Sequence, residues 1–205
     1  MRLALFGGSF DPPHRGHVAI AKAAADRFAL DQVLFVPVGR QPLKSHPHAT
    51  TFDERMALTT LACMSDSRFT PSTLDAPRPD GSPNYTIDTL RRLRESMPGA
   101  EIYNLVGADS FISLAHWRDP QSLLELAEWI VVSRPGYSGA SLLADPPGLS
   151  LTPAQRGRIH VLEDVYEDVA ATDLRDRLSR GEPCGELLPS QVSGYIQHHH
   201  LYLKG

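Results

Sequence analysis

The stretch that decides the fold runs from Leu3 to His17 and reads Leu-Ala-Leu-Phe-Gly-Gly-Ser-Phe-Asp-Pro-Pro-His-Arg-Gly-His. A short apolar run leads into a glycine pair and a proline pair, and apolar residues then recur at helical spacing at Val18, Ala21 and Ala25. A strand, a turn and a helix in this order predict the first unit of a parallel α/β sheet.

The turn has the composition of an anion-binding site. Gly7 and Gly8 lack side chains where a ligand would approach closely, and His14 and His17 share one face of the following helix because they are three residues apart. A helix N-terminus adds free N–H groups and about half a positive charge. The sequence therefore predicts an anion site with two titratable donors. The alternative is a plain turn whose histidines cap or pack.

Further apolar runs of strand length alternate with segments of helical period. The runs are continuously apolar, as in strands covered on both faces: Val33–Pro37, Phe69–Leu74 (the weakest), Ile102–Val106, Trp129–Ser133 and Ile159–Leu162. The helical segments lie near residues 15–28, from 51 to about 64, from 87 to before 98, after 172 and from about 189. The second begins at Thr51-Phe52-Asp53-Glu54, a capping-box pattern. We predict an α/β fold, a Rossmann-like doubly wound parallel sheet with helices on both faces, and a ligand site beyond the C-terminal ends of the strands.

Composition narrows the class of protein. The 205 residues are 41% hydrophobic and 21% charged, with a formal net charge of −4. These values predict one domain over residues 1–205 and disfavour nucleic-acid binding across the whole surface. The two cysteines form no Cys-x-x-Cys pair, which fits a reducing cytoplasm, and no run of about 18 apolar residues is present to cross a membrane. The oligomeric state, including a homo-oligomer, stays open.

The C-terminal helical part, about 170–205, carries a second candidate anion contact. Thr172 is a predicted N-cap, and Arg175 then falls in the first helical turn, where a cation is disfavoured by roughly 0.3–1 kcal/mol. A bound polyphosphate would make the positive charge of Arg175 favourable at this position. The alternative is an ion pair of Arg175 with Asp168, Asp173 or another carboxylate.

The nine histidines do not form a convincing metal-binding pattern. Consecutive residues on a helix point in different directions, so His198, His199 and His200 cannot easily bind one ion. His46 and His48 have no cysteine or carboxylate cluster beside them in sequence. No resident metal site is predicted.

The turn resembles the first motif of the nucleotidyltransferases with a His-x-Gly-His signature, and among them the bacterial nicotinate-nucleotide adenylyltransferases. The resemblance extends from residue 3 to about residue 202. Other matching segments are Pro42-Leu43-Lys44, Tyr85-Thr86-x-Asp88-Thr89-Leu90, Gly107-Ala108-Asp109-Ser110, Trp117-Arg118, Ser133-Arg134-Pro135-Gly136-Tyr137 and Val169-Ala170-Ala171-Thr172-Asp173-Leu174-Arg175. One departure is that Ala170 and Ala171 replace two serines of the family motif.

The resemblance implies a single nucleotidyltransferase domain. It would transfer the adenylyl group of ATP, with Mg²⁺, to nicotinate mononucleotide and form nicotinate adenine dinucleotide and pyrophosphate in NAD biosynthesis. The implied catalytic residues are His14, His17, Lys44 and Arg175. The implied ATP contacts are Gly7, Gly8, Ser9, Phe10, Gly107, Asp109, Arg134 and Thr172. The implied contacts to nicotinate mononucleotide are Lys44, Tyr85, Thr86, Trp117 and Arg118.

Three alternatives stay open at this point. The acceptor could be nicotinamide mononucleotide, phosphopantetheine or a phosphocholine-type alcohol phosphate. A fragment similar to an aminoacyl-tRNA synthetase would share the His-x-Gly-His turn, but no tRNA-binding module is apparent. A non-catalytic nucleotide sensor would agree with the alanines at 170 and 171.

Overall fold

The computed structural model describes residues 1–42, 49–133, 145–163, 165 and 169–203. Six strands form one sheet: β1 Arg2–Gly8, β2 Gln32–Pro37, β3 Phe69–Pro71, β4 Glu101–Gly107, β5 Glu128–Val132 and β6 Ile159–Leu162. All neighbours are parallel, in the order β3-β2-β1-β4-β5-β6. The predicted Rossmann-like doubly wound sheet and its six strands are confirmed.

Helices cover both faces of this sheet. They are α1 Arg15–Arg27, α2 Phe52–Cys63, α3 Thr86–Ser96, α4 Ala108–Ile112, α5 Pro120–Leu126, α6 Pro153–Arg156, α7 Ala171–Ser179 and α8 Ser190–His198, with a 3₁₀ turn at Leu114–His116. The predicted helices correspond to α1, α2, α3, α7 and α8. Sequence patterns missed α4, α5 and α6 because four to seven residues contain at most two turns of periodicity.

Two predicted helix starts had different outcomes. At α2, Thr51 Oγ1 accepts a hydrogen bond from the Glu54 backbone N–H (3.2 Å), and Glu54 Oε2 accepts one from the Thr51 N–H (2.7 Å), which confirms the predicted capping box. At α7 the N-cap is Ala170, so the prediction of Thr172 as the cap is wrong. The Thr172 hydroxyl instead accepts a hydrogen bond from Arg175 Nη2 at 3.2 Å.

The core lies on both faces of the sheet because successive strand residues point in opposite directions. Leu3 and Leu5 pack on the face covered by α3, α4 and α5, whereas Ala4 and Phe6 pack on the face covered by α1. Each fully buried leucine or phenylalanine stabilises the fold by about 1.5–3 kcal/mol. A double-sided core of this kind explains the continuously apolar strands.

A third cluster attaches the C-terminal helices to the rest of the fold. Leu58 of α2 packs with Leu174 of α7 and with Val192 and Ile196 of α8. The backbone N–H of Arg15, at the start of α1, also donates to the Leu187 carbonyl oxygen at 3.0 Å. The segment that carries Thr172 and Arg175 is therefore held close to the β1–α1 turn.

Candidate active site

The strand order reverses between β1 and β4, where chain connections lead away in opposite directions. In open parallel sheets the crevice at such a point is the usual ligand site. The ends of the two strands are both glycine-rich: Gly7 and Gly8 close β1, and Gly107 closes β4. A Cβ added at Gly7 or Gly107 would meet nothing within 4 Å, so open space lies directly above both strand ends.

The β1–α1 turn is fixed by one buried ring. Phe10 is 1% exposed and has φ +48°, a left-handed conformation that is rare for a large residue. Its ring packs edge-on against Phe6 with 5.5 Å between centroids. A Cβ at Gly8 would lie 3.1 Å from this ring, so glycine lets Phe10 fold back under the turn.

The two histidines are brought together at the start of α1. His14 is the N-cap and His17 lies in the first turn; their ring centroids are 3.7 Å apart. The His14 backbone N–H donates to His17 Nδ1 at 3.2 Å. Because Nδ1 accepts this hydrogen bond, the N–H of the neutral ring is on Nε2. The predicted anion contact of His17 would therefore be made by its Nε2–H.

Arg175 reaches the same turn from α7. Its Nη1 donates to the Asp11 carbonyl oxygen at 2.8 Å, and its Nη2 donates to Thr172 Oγ1 at 3.2 Å. Thr172 is exposed and Arg175 is half-buried. We call His14, His17, Thr172 and Arg175 the phosphate end of the site.

The buried carboxylate of Asp11 was not predicted as a site residue. Asp11 is 3% exposed. Its Oδ1 accepts hydrogen bonds from the Thr50 hydroxyl and the Tyr202 hydroxyl, both at 2.8 Å, and its Oδ2 accepts one from the Ala49 N–H at 2.7 Å. No spacing rule could find this group, because its partners lie 38 to 191 residues away in sequence.

A buried cation below the turn was missed for the same reason. Arg55 of α2 is 1% exposed, and its Nη1 donates to the Ser9 carbonyl oxygen at 2.9 Å. Burial lowers the pKa of Arg55, and the Asp11 carboxylate partly opposes that shift. Two arginines from different helices, Arg55 and Arg175, therefore hold two carbonyl oxygens of one turn.

A second group of predicted residues lies at the starts of α3 and α5. Arg118 is exposed and its guanidinium carbon is 4.6 Å from the centroid of the Tyr85 ring, a cation–π distance. Trp117 packs partly buried against the core, with 6.2 Å between its centroid and that of Trp129. Thr86 is the first residue of α3, after the N-cap Tyr85. We call Tyr85, Thr86, Trp117 and Arg118 the acceptor end of the site.

The loop before α3 is fastened to the end of β2. Asn84 is 4% exposed; its Oδ1 accepts from the Arg40 N–H at 3.0 Å, and its Nδ2 donates to the Ala76 carbonyl oxygen at 3.0 Å. A Cβ at Gly39 would lie 2.5 Å from the Pro77 nitrogen, so this close approach requires glycine. Asn84 and Gly39 thus fix the segment that leads into Tyr85.

A buried acid supports the same loop. Asp75 is 8% exposed and accepts a short hydrogen bond from the Thr89 hydroxyl. Burial raises the pKa of Asp75. Asp75 and Thr89 therefore connect the loop to the buried side of α3.

The structure describes some of the other predicted residues and not others. Asp109 is exposed at the second position of α4, after the N-cap Gly107. Lys44, Arg134, Asp168, His46 and His48 lie outside the described residues. Within the described part of the chain, no three His, Cys, Asp or Glu side chains are grouped to hold a metal ion. None of the described helices is long and apolar enough to cross a membrane.

Comparison with known proteins decides the family. The cytidylyltransferase-like family model matches residues 5–177. The chain belongs to this family. It is 40% identical over 201 residues to a protein of Leifsonia xyli subsp. xyli named "Probable nicotinate-nucleotide adenylyltransferase", covering 98% of this chain and 94% of that protein. A Streptomyces coelicolor protein of the same name is 38% identical over 196 residues, covering 96% and 98% of the two chains.

Solved structures agree on the fold. The chain resembles Plasmodium falciparum nicotinic acid mononucleotide adenylyltransferase complexed with NaAD, with a TM-score of 0.73 and 15% identity, over 98% of this chain and 97% of that chain. The same enzyme complexed with APC gives a TM-score of 0.71. The family resemblance inferred from the motifs is confirmed, and the protein is a nucleotidyltransferase.

Proposed function

We propose that this nucleotidyltransferase transfers the adenylyl group of ATP to nicotinate mononucleotide, forming nicotinate adenine dinucleotide and pyrophosphate in NAD biosynthesis. Near full-length identity of about 40% to proteins named for this reaction supports it. The structural observation that carries the proposal is the meeting of His14, His17 and Arg175 at the β1–α1 turn, above the point where strand order reverses.

The reaction requires no protein nucleophile. An oxygen of the mononucleotide phosphate attacks the α-phosphorus of ATP, a new P–O bond forms, and the bond from that phosphorus to the oxygen bridging to the β-phosphate breaks. The electron pair leaves with pyrophosphate. Catalysis then depends on position and on donors that stabilise charge developing on the transferred phosphoryl group.

The phosphate end would supply those donors. We assign His17 to the α-phosphate through its Nε2–H and His14 to neighbouring phosphate oxygens. Arg175, Thr172 and Lys44 would hold the triphosphate. Arg175 is well suited to this role because its guanidinium is already anchored on the Asp11 carbonyl oxygen and its planar fork of donors matches phosphate oxygens.

The open crevice would hold the rest of ATP. Gly7, Gly8 and Gly107 leave room for close backbone approach, and Ser9 and Phe10 would contribute backbone groups of the turn. Asp109 would contact the nucleoside, and Arg134 is assigned to ATP by family resemblance.

The acceptor end would bind nicotinate mononucleotide. Trp117 offers an aromatic face to a pyridine ring, and Tyr85 and Thr86 lie at the N-terminus of α3, where free N–H groups favour a carboxylate. Arg118 adds a positive charge beside Tyr85. Lys44 is assigned to the mononucleotide as well as to ATP.

We propose that Mg²⁺ enters as part of the MgATP substrate and neutralises the phosphates and the leaving pyrophosphate. The residues fit this arrangement, since Mg²⁺ is commonly held by substrate phosphates with few protein ligands. Both Asp11 carboxylate oxygens already accept hydrogen bonds from the protein. We further propose that residues 1–205 act as a single domain in the cytoplasm, on small molecules and without nucleic acid or membrane.

The decisive experiment is pyrophosphate release with MgATP and each of three acceptors: nicotinate mononucleotide, nicotinamide mononucleotide and phosphopantetheine. We expect fast release with the nicotinate compound. Faster release with another acceptor would retain the phosphate-end assignments and contradict those of Trp117 and Thr86. ATP binding without release on any acceptor would contradict the proposed reaction and favour a nucleotide sensor.

A further inference from the structure

We propose that the hydroxyl of Tyr202 is a positioning group of the active site, acting through Asp11 on the turn that carries His14 and His17. The proposal rests on the function proposed above. Tyr202 lies near the far end of the chain, yet its hydroxyl donates to Asp11 Oδ1 at 2.8 Å across 191 residues of sequence. Asp11 itself lies three residues before His14.

Asp11 connects its own turn to three other segments of the chain at one buried point. Its side chain accepts from Tyr202, from the Thr50 hydroxyl and from the Ala49 N–H, and its carbonyl oxygen accepts from Arg175. A carboxylate that accepts several hydrogen bonds in a buried position fixes the groups around it, because each lost bond leaves its buried charge less well compensated. Movement of any one segment is therefore resisted by the other three.

The conformation of the Tyr202 backbone agrees with a specific role for its side chain. Its φ is +70° and that of His200 is +53°, a left-handed region that non-glycine residues seldom adopt. The chain turns sharply after α8 and brings the phenol ring back to the β1–α1 turn. Packing of Tyr202 beside α2, α7 and α8 holds the ring in this place.

The hydroxyl stays a donor under working conditions. Burial and the neighbouring Asp11 carboxylate both raise the pKa of Tyr202 above its usual value. Two cations lie beside this group: Arg55 holds the Ser9 carbonyl oxygen of the same turn, and Arg175 donates to the Asp11 carbonyl oxygen. The neutral Tyr202 hydroxyl therefore acts on the turn through its hydrogen bond to the Asp11 carboxylate.

The test compares Tyr202→Phe with Tyr195→Phe. Tyr195 is a matched control because it also lies in the C-terminal helical part, but its ring stacks on His199 at 4.0 Å and is not part of the Asp11 group. Pyrophosphate release is measured with MgATP and nicotinate mononucleotide at a temperature where circular dichroism shows both variants fully folded. We expect kcat of Tyr202→Phe to fall about tenfold, with the KM for the mononucleotide changed less than twofold, and Tyr195→Phe to match the parent protein.

Hydrogen–deuterium exchange supplies a readout that does not depend on activity. In Tyr202→Phe we expect amides of residues 9–17 and 49–50 to exchange about tenfold faster, while β6 keeps its protection. If the parent protein is inactive on all acceptors, the proposed function fails, and exchange alone decides the role of Tyr202. Unchanged exchange at residues 9–17, or a kcat within twofold of the parent, would overturn the proposal. Faster exchange throughout the sheet would also overturn it, since Tyr202 would then only stabilise the fold.

Discussion

The phosphate end and the acceptor end of the site are built in different ways. At the phosphate end, α1, α2, α7 and the Tyr202 segment all hydrogen-bond one buried turn, and Asp11 is 3% exposed. At the acceptor end, the buried residues Asn84 and Asp75 support the loop from inside the fold. Arg118, in contrast, is exposed and lies over the ring of Tyr85. Under the proposed assignments, the reacting phosphates would meet a preorganised backbone, whereas the acceptor would meet surface side chains. Changes at the phosphate end should therefore affect turnover, and changes at the acceptor end should affect substrate affinity.

The largest expected effect is at His17. Replacement His17→Ala removes a donor aimed at developing charge, so we expect kcat for pyrophosphate release to fall by about 10²–10³ with little change in the KM for nicotinate mononucleotide. Steady-state kinetics measures both constants. His198→Ala, an exposed histidine at the end of α8, is the control and should be silent. A loss smaller than threefold would remove His17 from the phosphate end as defined here.

The next effect is at the acceptor end. Asn84→Ala leaves the Arg40 N–H and the Ala76 carbonyl oxygen without their partner, so we expect the free energy of unfolding to fall by about 2 kcal/mol. The loop before Tyr85 loosens, and the KM for the mononucleotide should rise about tenfold while kcat changes less than threefold. Urea unfolding and steady-state kinetics check the two parts.

Ser82→Ala is the control for Asn84 because it lies in the same loop and its hydroxyl bonds only locally, to Asp80 at 2.7 Å. It should leave both stability and KM nearly unchanged. A lower kcat with unchanged KM in Asn84→Ala would contradict the separation of the two ends.

A smaller and opposite effect is expected at the start of α7. Ala170 is the N-cap and has no side-chain oxygen to accept a helix N–H, so Ala170→Ser should raise the free energy of unfolding by about 1 kcal/mol. Ala171→Ser lies inside the first turn and should raise the free energy of unfolding by much less. Thermal and urea unfolding of both variants measure the difference, and equal stabilisation by the two serines would show that capping is not the cause.

The smallest effect is a change in pH dependence at the acceptor end. Burial raises the pKa of Asp75, so the folded protein binds this proton more tightly than the unfolded chain, and stability falls as pH rises from the usual aspartate pKa of about 3.9 towards the folded value. In Asp75→Asn that decline is absent. The free energy of unfolding of Asp75→Asn, relative to the parent protein, should therefore increase over this pH range.

Asp80→Asn is the internal control for the direction in which stability changes with pH. Hydrogen bonds from Ser82 lower the pKa of Asp80, so its contribution is present above the usual aspartate pKa and is lost as pH falls through the folded value. Relative to the parent, Asp80→Asn should become less stable as pH rises. Urea unfolding between pH 3.5 and pH 6.5 gives both slopes, and slopes of the same sign would contradict the assignment of Asp75 as a buried acid.

Sequence patterns predicted what depends on neighbours in the chain. The apolar strands, the five longer helices and the capping box at Thr51 and Glu54 follow from local periodicity, and the structure confirms them. The pairing of His14 and His17 on one helical turn is also local. The contacts of these residues with substrates stay predictions.

The groups that support the site could not be predicted this way. Asp11, Arg55 and Tyr202 act on one turn through hydrogen bonds that span 46 residues or more in two of the three cases, and no periodicity encodes such distances. Thr172 was misplaced as a cap because Ala170 is a poor capping residue by composition. The helix starts two residues earlier than its best candidate cap indicates, and the Thr172 hydroxyl accepts a hydrogen bond from Arg175 instead of capping the helix.

The bond between Asp11 and Tyr202 has a consequence for synthesis of the protein. The six strands are complete at Leu162, but the turn at residues 9–17 receives its last supports from residues 175 and 202. A nascent chain interrupted between residues 162 and 175 would contain the six strands of the sheet but would lack the hydrogen bonds that Arg175 and Tyr202 donate to Asp11. Contacts of such long sequence separation also form late and slowly. If Tyr202 positions the turn as we propose, assembly of the sheet and completion of the active site are separate events during synthesis, and the second requires translation past residue 202.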